Sequence, residues 1–126
     1  MFEQIDPRSP TPLYAQIASR LKVAIASGEL GPGDSLPSVR QLAARIRVNP
    51  ATVVQAYRDL ETEGFVDMRQ GAGTFVLDIQ ADTRASERAK QAVALVRRMV
   101  ADAGRLGLST KDLVTAIERE LEVKVA

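Results

Sequence analysis

SLPSVRQLAARIRVNPATVVQAYR, residues 35 to 58, carries four arginines and neither aspartate nor glutamate. Ser38 and Gln41 have capping-box spacing, and Val39, Leu42, Ala43 and Ile46 form an apolar stripe of about two turns behind them. Asn49 then offers a second cap with Pro50 at a first helical position, and Val53, Ala56, Tyr57 and Leu60 recur at helical spacing. Only Arg47 and Val48 separate the two patterns. Two amphipathic helices joined this tightly predict a helix-turn-helix, and a positive, acid-free outer surface is what a polyanion would meet.

Working outward, the preceding segment predicts a first helix capped by Thr11, with Pro12 at its first position, Leu13, Ile17, Leu21, Ala24 and Ile25 inward, and Gly28 at its end. The connector from Gly28 to Pro37 holds three glycines and two prolines around Leu30 and Leu36. It reads as a compact loop pinning two apolar anchors, with Pro32-Gly33 suited to a type II turn. Downstream, Gly64 closes the third helix, and FVDMRQGAGTFVL, Phe65 to Leu77, alternates as two strands around a turn at Gln70 to Gly73. Gly71 and Gly73 supply the positive φ or close approach that such a hairpin tip needs. The fold expected is mainly α with a small β-hairpin: a winged helix-turn-helix over residues 1–78.

After Asp78 there is neither proline nor aromatic. Two helices are expected there. The first runs from about Thr83 to Ala103 with Ala85, Ala89, Ala92, Val93, Val96, Met99 and Val100 on one side, a stripe roughly 30 Å long at 1.5 Å per residue. Gly104 and Gly107 break it, and a second begins at Ser109 or Thr110 with Leu113, Val114, Ile117 and Leu121 inward. Residues 79–126 thus read as a two-helix appendage whose apolar stripe covers either a second copy or the winged domain itself. A two-fold dimer through Val93, Val96, Met99, Val100, Leu113, Ile117 and Leu121 is the expectation, because two helices joined by glycines bury more against a copy.

Whole-chain charge hides the local signal: 17 basic against 16 acidic residues leave a net +1. Residues 1–78 hold 8 basic and 9 acidic side chains and residues 79–126 hold 9 and 7. A diffuse polycation is excluded, and any nucleic-acid contact must come from a local patch. The chain lacks Cys, His and Trp. That removes disulfides, thiolate or imidazole metal sites and the usual general base near neutrality, so neither a metal, a cofactor nor a catalytic centre is expected. With aromatics at 4%, a base-stacking platform for single strands is equally out of reach. No basic-then-apolar leader and no membrane-length apolar run is present, the pattern of a cytoplasmic protein.

On the third helix, the inward set leaves Ala51, Gln55, Arg58 and Thr62 outward, flanked by Thr52 and Val54. Small residues at its start let the backbone approach a major groove, where Thr52 offers a hydroxyl or methyl and Gln55 a paired contact to adenine. An ordinary solvated helix face has the same composition. Arg40 is more telling, because a cation in a first helical turn opposes the helix dipole by about 0.3–1 kcal/mol. A phosphate or guanine edge would hold it there, as would an ion pair with Asp34 or Glu63. Arg45 and Arg47 suit phosphate, while Arg69, Gln70 and Gly71 at the hairpin tip suit an adjacent minor groove.

The whole run from Pro12 to Val76 resembles the N-terminal domain of the GntR family of bacterial transcription regulators. GELGPGDSLPSVRQLA, NPATVVQAYRDLETEG and GAGTFV carry the likeness, and Asn49-Pro50 with Tyr57 and the short two-helix tail is similar to the YtrA-like subfamily. The resemblance implies a homodimeric regulator, usually a repressor and often of transport genes, bound to a palindromic double-stranded operator. Arg40, Pro50, Ala51, Thr52, Gln70 and Gly71 match the positions that face DNA in the family, with Arg47, Asn49, Gln55, Arg58 and Arg69 beside them. Two departures stand out: Arg47 replaces the glycine common in the turn, implying a left-handed or rearranged backbone, and Gln70 replaces a basic residue before the wing glycine. A tail of this size is too small to enclose a sizeable ligand alone, so any small effector, of unknown chemistry, would bind between subunits or between the tail and the winged domain. The competing reading is a winged-helix module for protein partners that makes no specific DNA contact.

Overall fold

The computed structural model describes Phe2 and residues 5–124. The order is α1 (Leu13–Ser27), α2 (Val39–Ile46), α3 (Pro50–Thr62), β1 (Val66–Arg69), β2 (Gly73–Val76), α4 (Ala81–Arg105) and α5 (Thr110–Leu121). These form two compact units, Met1–Arg88 and Ala89–Ala126.

In the first unit the apolar stripes of α1, α2 and α3 converge. Ile17, Leu21, Ile25, Leu42, Val53, Tyr57 and Leu60 are at most 1% exposed, joined by Phe65, Val66 and Val76 from the hairpin. Each large apolar side chain sealed here contributes roughly 1.5–3 kcal/mol. Tyr57 is the largest fully buried residue, and its hydroxyl donates to the Pro37 carbonyl at 2.7 Å, so its one polar atom is satisfied. That bond ties α3 to the connector before α2.

The hairpin pairs Val66 with Val76, Asp67 with Phe75, Met68 with Thr74 and Arg69 with Gly73. The connector joins it as a short third rung, which the loop reading overlooked. Ser35 bridges Phe75, Gly33 N–H donates to Val76 O, Val76 N–H to Asp34 O and Leu36 N–H to Thr74 O, each of these bonds at 2.8 Å. The Pro32-Gly33 turn forms as expected, with Gly33 at φ +85° and Asp34 N–H donating to Gly31 O at 3.0 Å.

Two local expectations are corrected. Thr11 does not cap α1: Pro12 stands at the cap position with no side-chain hydrogen bond, while Gln16 reaches back to Asp6 and to Thr11 O at 2.8 Å and organises the chain entering the helix. Gly104 does not break α4, which runs on to Arg105; only Gly107, at φ +75°, reverses the chain. The first compact unit takes in the start of α4, as far as Arg88. Ile79 is buried in the winged core, and the Arg84 guanidinium donates to the Ile25 and Ala26 carbonyls at 3.0 and 3.1 Å. Both carbonyls lie in the last turn of α1, where Ile25 O also accepts from Gly28 N–H at 3.2 Å, so the start of α4 adds donors to the end of α1.

In the second unit, α4 turns into α5 with Leu108 N–H closing on Ala103 O at 2.9 Å. Ser109 and Asp112 form a reciprocal capping box that starts α5, and these bonds hold the exposed Asp112 carboxyl below its ordinary range. Ala103 is buried, and Met99, Leu113 and Ile117 are half-buried. Val93, Val96, Val100 and Leu121 are between 46% and 64% exposed, an apolar surface uncovered in a single chain.

Candidate DNA interface

The interface begins with how α2 starts and stops. Ser38 Oγ accepts from Gln41 N at 3.1 Å and Gln41 Oε1 accepts from Ser38 N at 3.0 Å, so the expected capping box forms in full. Arg40 follows in the first turn, exposed and with no hydrogen bond or ion pair among the described residues. Neither carboxylate suggested for it is engaged with it. Asp34 accepts from Gly31 N–H at 2.8 Å, and Glu63 pairs with Lys22 at 2.7 Å.

Helix α2 stops at Arg47, which adopts the left-handed conformation with φ +57° and ψ +52°. Arg47 N–H and Val48 N–H both return to Ala43 O, and Val48 packs on the core, a helix C-terminal closure normally given to glycine. The departure read from the sequence is therefore resolved as a left-handed arginine rather than a rearranged turn. Its consequence is local: the guanidinium projects from the turn, exposed and without a partner among the described residues.

Asn49 comes next, and its Oδ1 accepts from Ala51 N–H at 2.9 Å. Its side chain caps α3, which places it beside the interface as a positioning group. Pro50 and Ala51 are exposed at the start of α3, Thr52 is half-buried, and Gln55 and Arg58 are exposed along the same helix. The structure thus brings Arg40, Arg47, Ala51, Gln55 and Arg58 to the outside of one helix pair. Gln55 is not free, however: its Nε2 donates to Asp59 Oδ1 at 2.8 Å. That i, i+4 bond orients the amide, and Asp59 lies just beyond the acid-free stretch from which the site was read.

At the wing tip Gln70, Gly71 and Ala72 are exposed, with Gly71 at φ +79° and Ala72 N–H donating to Arg69 O at 3.0 Å. Arg69 departs from the expectation that it freely carries the tip's charge. Its Nε donates to Asp67 Oδ2 at 2.9 Å and its guanidinium lies 4.8 Å from the centre of the Phe75 ring. Asp67 and Arg69 sit two apart on one strand, hence on one face, and that period-two relation was available in the sequence. Arg45 is exposed near the Tyr57 phenol; burial pushes that phenol up to about 12 and the Arg45 charge opposes the shift.

Among the described residues no group of His, Cys, Asp or Glu is placed to hold a metal, and no helix is long and apolar enough to cross a membrane. The chemistry available is recognition by cations, amides, hydroxyls and exposed backbone.

Comparison with known proteins agrees with this geometry. Residues 13–76 match the family described as bacterial regulatory proteins, gntR family. The chain is 38% identical over 110 residues to the HTH-type transcriptional repressor YtrA of Bacillus subtilis, covering 87% of this chain and 85% of that protein. It superposes on YtrA from Sulfolobus acidocaldarius, a GntR-family transcription factor, with a TM-score of 0.59 and 39% identity, covering 75% of this chain and 99% of that one. The AraR DNA-binding domain in complex with operator ORX1 aligns with a TM-score of 0.52 and 32% identity, over 56% of this chain and 88% of its own. A winged helix-turn-helix whose family match takes in the reading helices and the wing, and whose likeness to YtrA continues into the tail, identifies the chain as a member of the GntR family of transcriptional regulators, similar to its YtrA-like branch and not an enzyme.

Proposed function

We propose that this regulator is a repressor that binds a palindromic double-stranded operator as a homodimer, acting in the cytoplasm. The observation that carries the reading is the exposed face of α2 and α3, where Arg40, Arg47 and Arg58 have no counter-charge among the described residues. Arg40 opposes its own helix dipole, a cost of about 0.3–1 kcal/mol that contact with a phosphate or guanine edge would offset. Ala51 and Thr52 at the start of α3 enter the major groove, with Gln55 reading a base edge one turn on. Arg47 and Arg58 contact phosphate, and Gln70 and Gly71 approach the neighbouring minor groove.

Dimerisation belongs to the second unit. Val93, Val96, Val100 and Leu121 expose apolar surface that a second copy would cover, with Met99, Leu113 and Ile117 beneath them. A two-fold dimer presents two reading helices to half-sites about one helical turn apart, roughly 34 Å, which is why a palindrome is expected. The B. subtilis relative is named a repressor, in keeping with the sign of regulation proposed. The regulated genes would include transport functions, the habit of the family.

The test is binding of the full chain to duplex fragments from its own upstream region, against scrambled duplex, across a salt series. One fragment should bind at least roughly a thousandfold tighter than scrambled DNA. Arg40→Ala and Thr52→Ala should each cost about 1–3 kcal/mol on that fragment if they touch bases. Equal, weak, salt-sensitive binding to every duplex would reject the proposal and leave a charged winged-helix module for protein partners.

A further inference from the structure

A second opening lies beside the helix-turn-helix. Phe2 and Ile5, the inner side of α1, the connector and the α2–α3 turn enclose a groove of about 590 Å³. Its wall includes Leu21, Leu36, Ile46 and Val48, and its only charged lining residues among those described are Arg45 and Arg47. The volume falls within the range of small-molecule sites, which are mostly apolar with a few fixed polar groups. Leu21 and Leu36 are almost fully buried, so the floor is part of the folded core. The two guanidinium groups are exposed and make no hydrogen bond or ion pair among the described residues, Arg45 lying near the Tyr57 phenol, and no lining residue is acidic. An apolar trough edged by two arginines free of any carboxylate suits a hydrocarbon or aryl body ending in a carboxylate, which a guanidinium holds through two parallel hydrogen bonds.

We propose that this groove binds a small apolar carboxylate and that its occupation releases DNA. The inference rests on the DNA reading above only for the second half. Arg47 belongs to the interface, so a carboxylate and a phosphate compete for the same guanidinium. An occupant also touches Ile46, Arg47 and Val48, the residues that set the angle between α2 and α3. Linkage then makes the effect reciprocal: operator DNA weakens the ligand by the factor by which the ligand weakens operator DNA. The regulator would sense its effector within the reading head, needing no separate ligand domain.

Decanoate is the probe, with decanol as the neutral molecule of equal chain length. Titration of the full chain, followed by calorimetry and by backbone amide shifts, should give saturable decanoate binding about tenfold or more tighter than decanol, with shifts centred on Leu30, Ile46 and Val48. Arg45→Gln with Arg47→Gln should bring the two affinities together. Saturating decanoate should weaken specific duplex binding by roughly 5- to 150-fold. Absent saturation, equal affinity for decanol in the unmodified chain, or shifts confined to the α4–α5 groove near Leu95, Leu106 and Leu113 would each overturn the site. Decanoate and duplex binding without mutual effect would overturn the release. Decanoate binding with no specific duplex binding would sink the operator reading and leave the pocket standing; specific duplex binding without decanoate binding would do the reverse.

Discussion

Replacing Arg47 by glycine separates what the turn costs the fold from what it contributes to DNA. At φ +57° and ψ +52° the arginine Cβ crowds its following carbonyl, a strain of roughly 1–2 kcal/mol. Glycine removes the crowding but widens the unfolded ensemble, returning about 0.4–1 kcal/mol of that gain. The side chain is exposed and unpartnered among the described residues, so no hydrogen bond or ion pair is lost. Both backbone bonds to Ala43 O survive, because glycine keeps the N–H and adopts this conformation freely. The net expectation is a gain of about 0.8 kcal/mol at mid-range and about 1.6 kcal/mol at most, which for a domain of this size raises the melting temperature by about 3–6 °C at mid-range. Duplex affinity moves the opposite way: one cation fewer at the phosphates weakens binding to all sequences and lowers the salt slope by about 1. Thermal unfolding by circular dichroism and the salt series read the two effects independently. A lower melting temperature would refute the strain argument, and an unchanged salt slope would refute the phosphate contact.

Other outcomes follow from particular contacts. Tyr57→Phe strands the Pro37 carbonyl and should destabilise the winged unit by about 1–3 kcal/mol in chemical denaturation. The same phenol ionises at about 12 when folded against 10.0 ordinarily, so its contribution should be level below pH 10 and drain away between 10 and 12, on the order of 2–3 kcal/mol in full; the variant should lack that alkaline loss. Arg84→Ala removes two bonds to the end of α1 and should cost about 1.5–3 kcal/mol, whereas a variant melting like the parent would show that the α1 carbonyls are satisfied by water. Val96→Asp with Val100→Asp should turn a dimer into a monomer in sedimentation equilibrium and weaken operator binding, while a dimer that persists would move the contact off this face.

Most of the winged unit was legible in the sequence because local rules decide it. Ser38 with Gln41, Asn49 with Pro50, and the positive-φ glycines at Gly33, Gly64 and Gly71 are each a near-neighbour constraint, and each formed as read. Two boundaries slipped, at Thr11 and at Gly104: a side chain further along organises the entry to α1, and a glycine inside a helix costs only about 0.5–1 kcal/mol, too little to end α4. Gln16, within ten residues of its partners Asp6 and Thr11, organises the entry to α1, whereas Arg84 reaches Ile25 across 59 positions, a pairing that no local window of sequence contains.

The candidate site divides the same way. That Gln55 and Arg58 stand on the outer side of α3 follows from helical period, so the sequence alone determined which side of that helix meets solvent. The state of the site's side chains is a tertiary or cross-residue matter: Arg40 left unpaired, Gln55 held by Asp59, Arg69 drawn to Asp67 and the Phe75 ring. So is the groove under the turn, assembled from segments as distant as Phe2 and Val48. Periodicity and capping act within a few residues and are written along the chain; cavities and charge pairing depend on which segments meet, and only the packed core decides that.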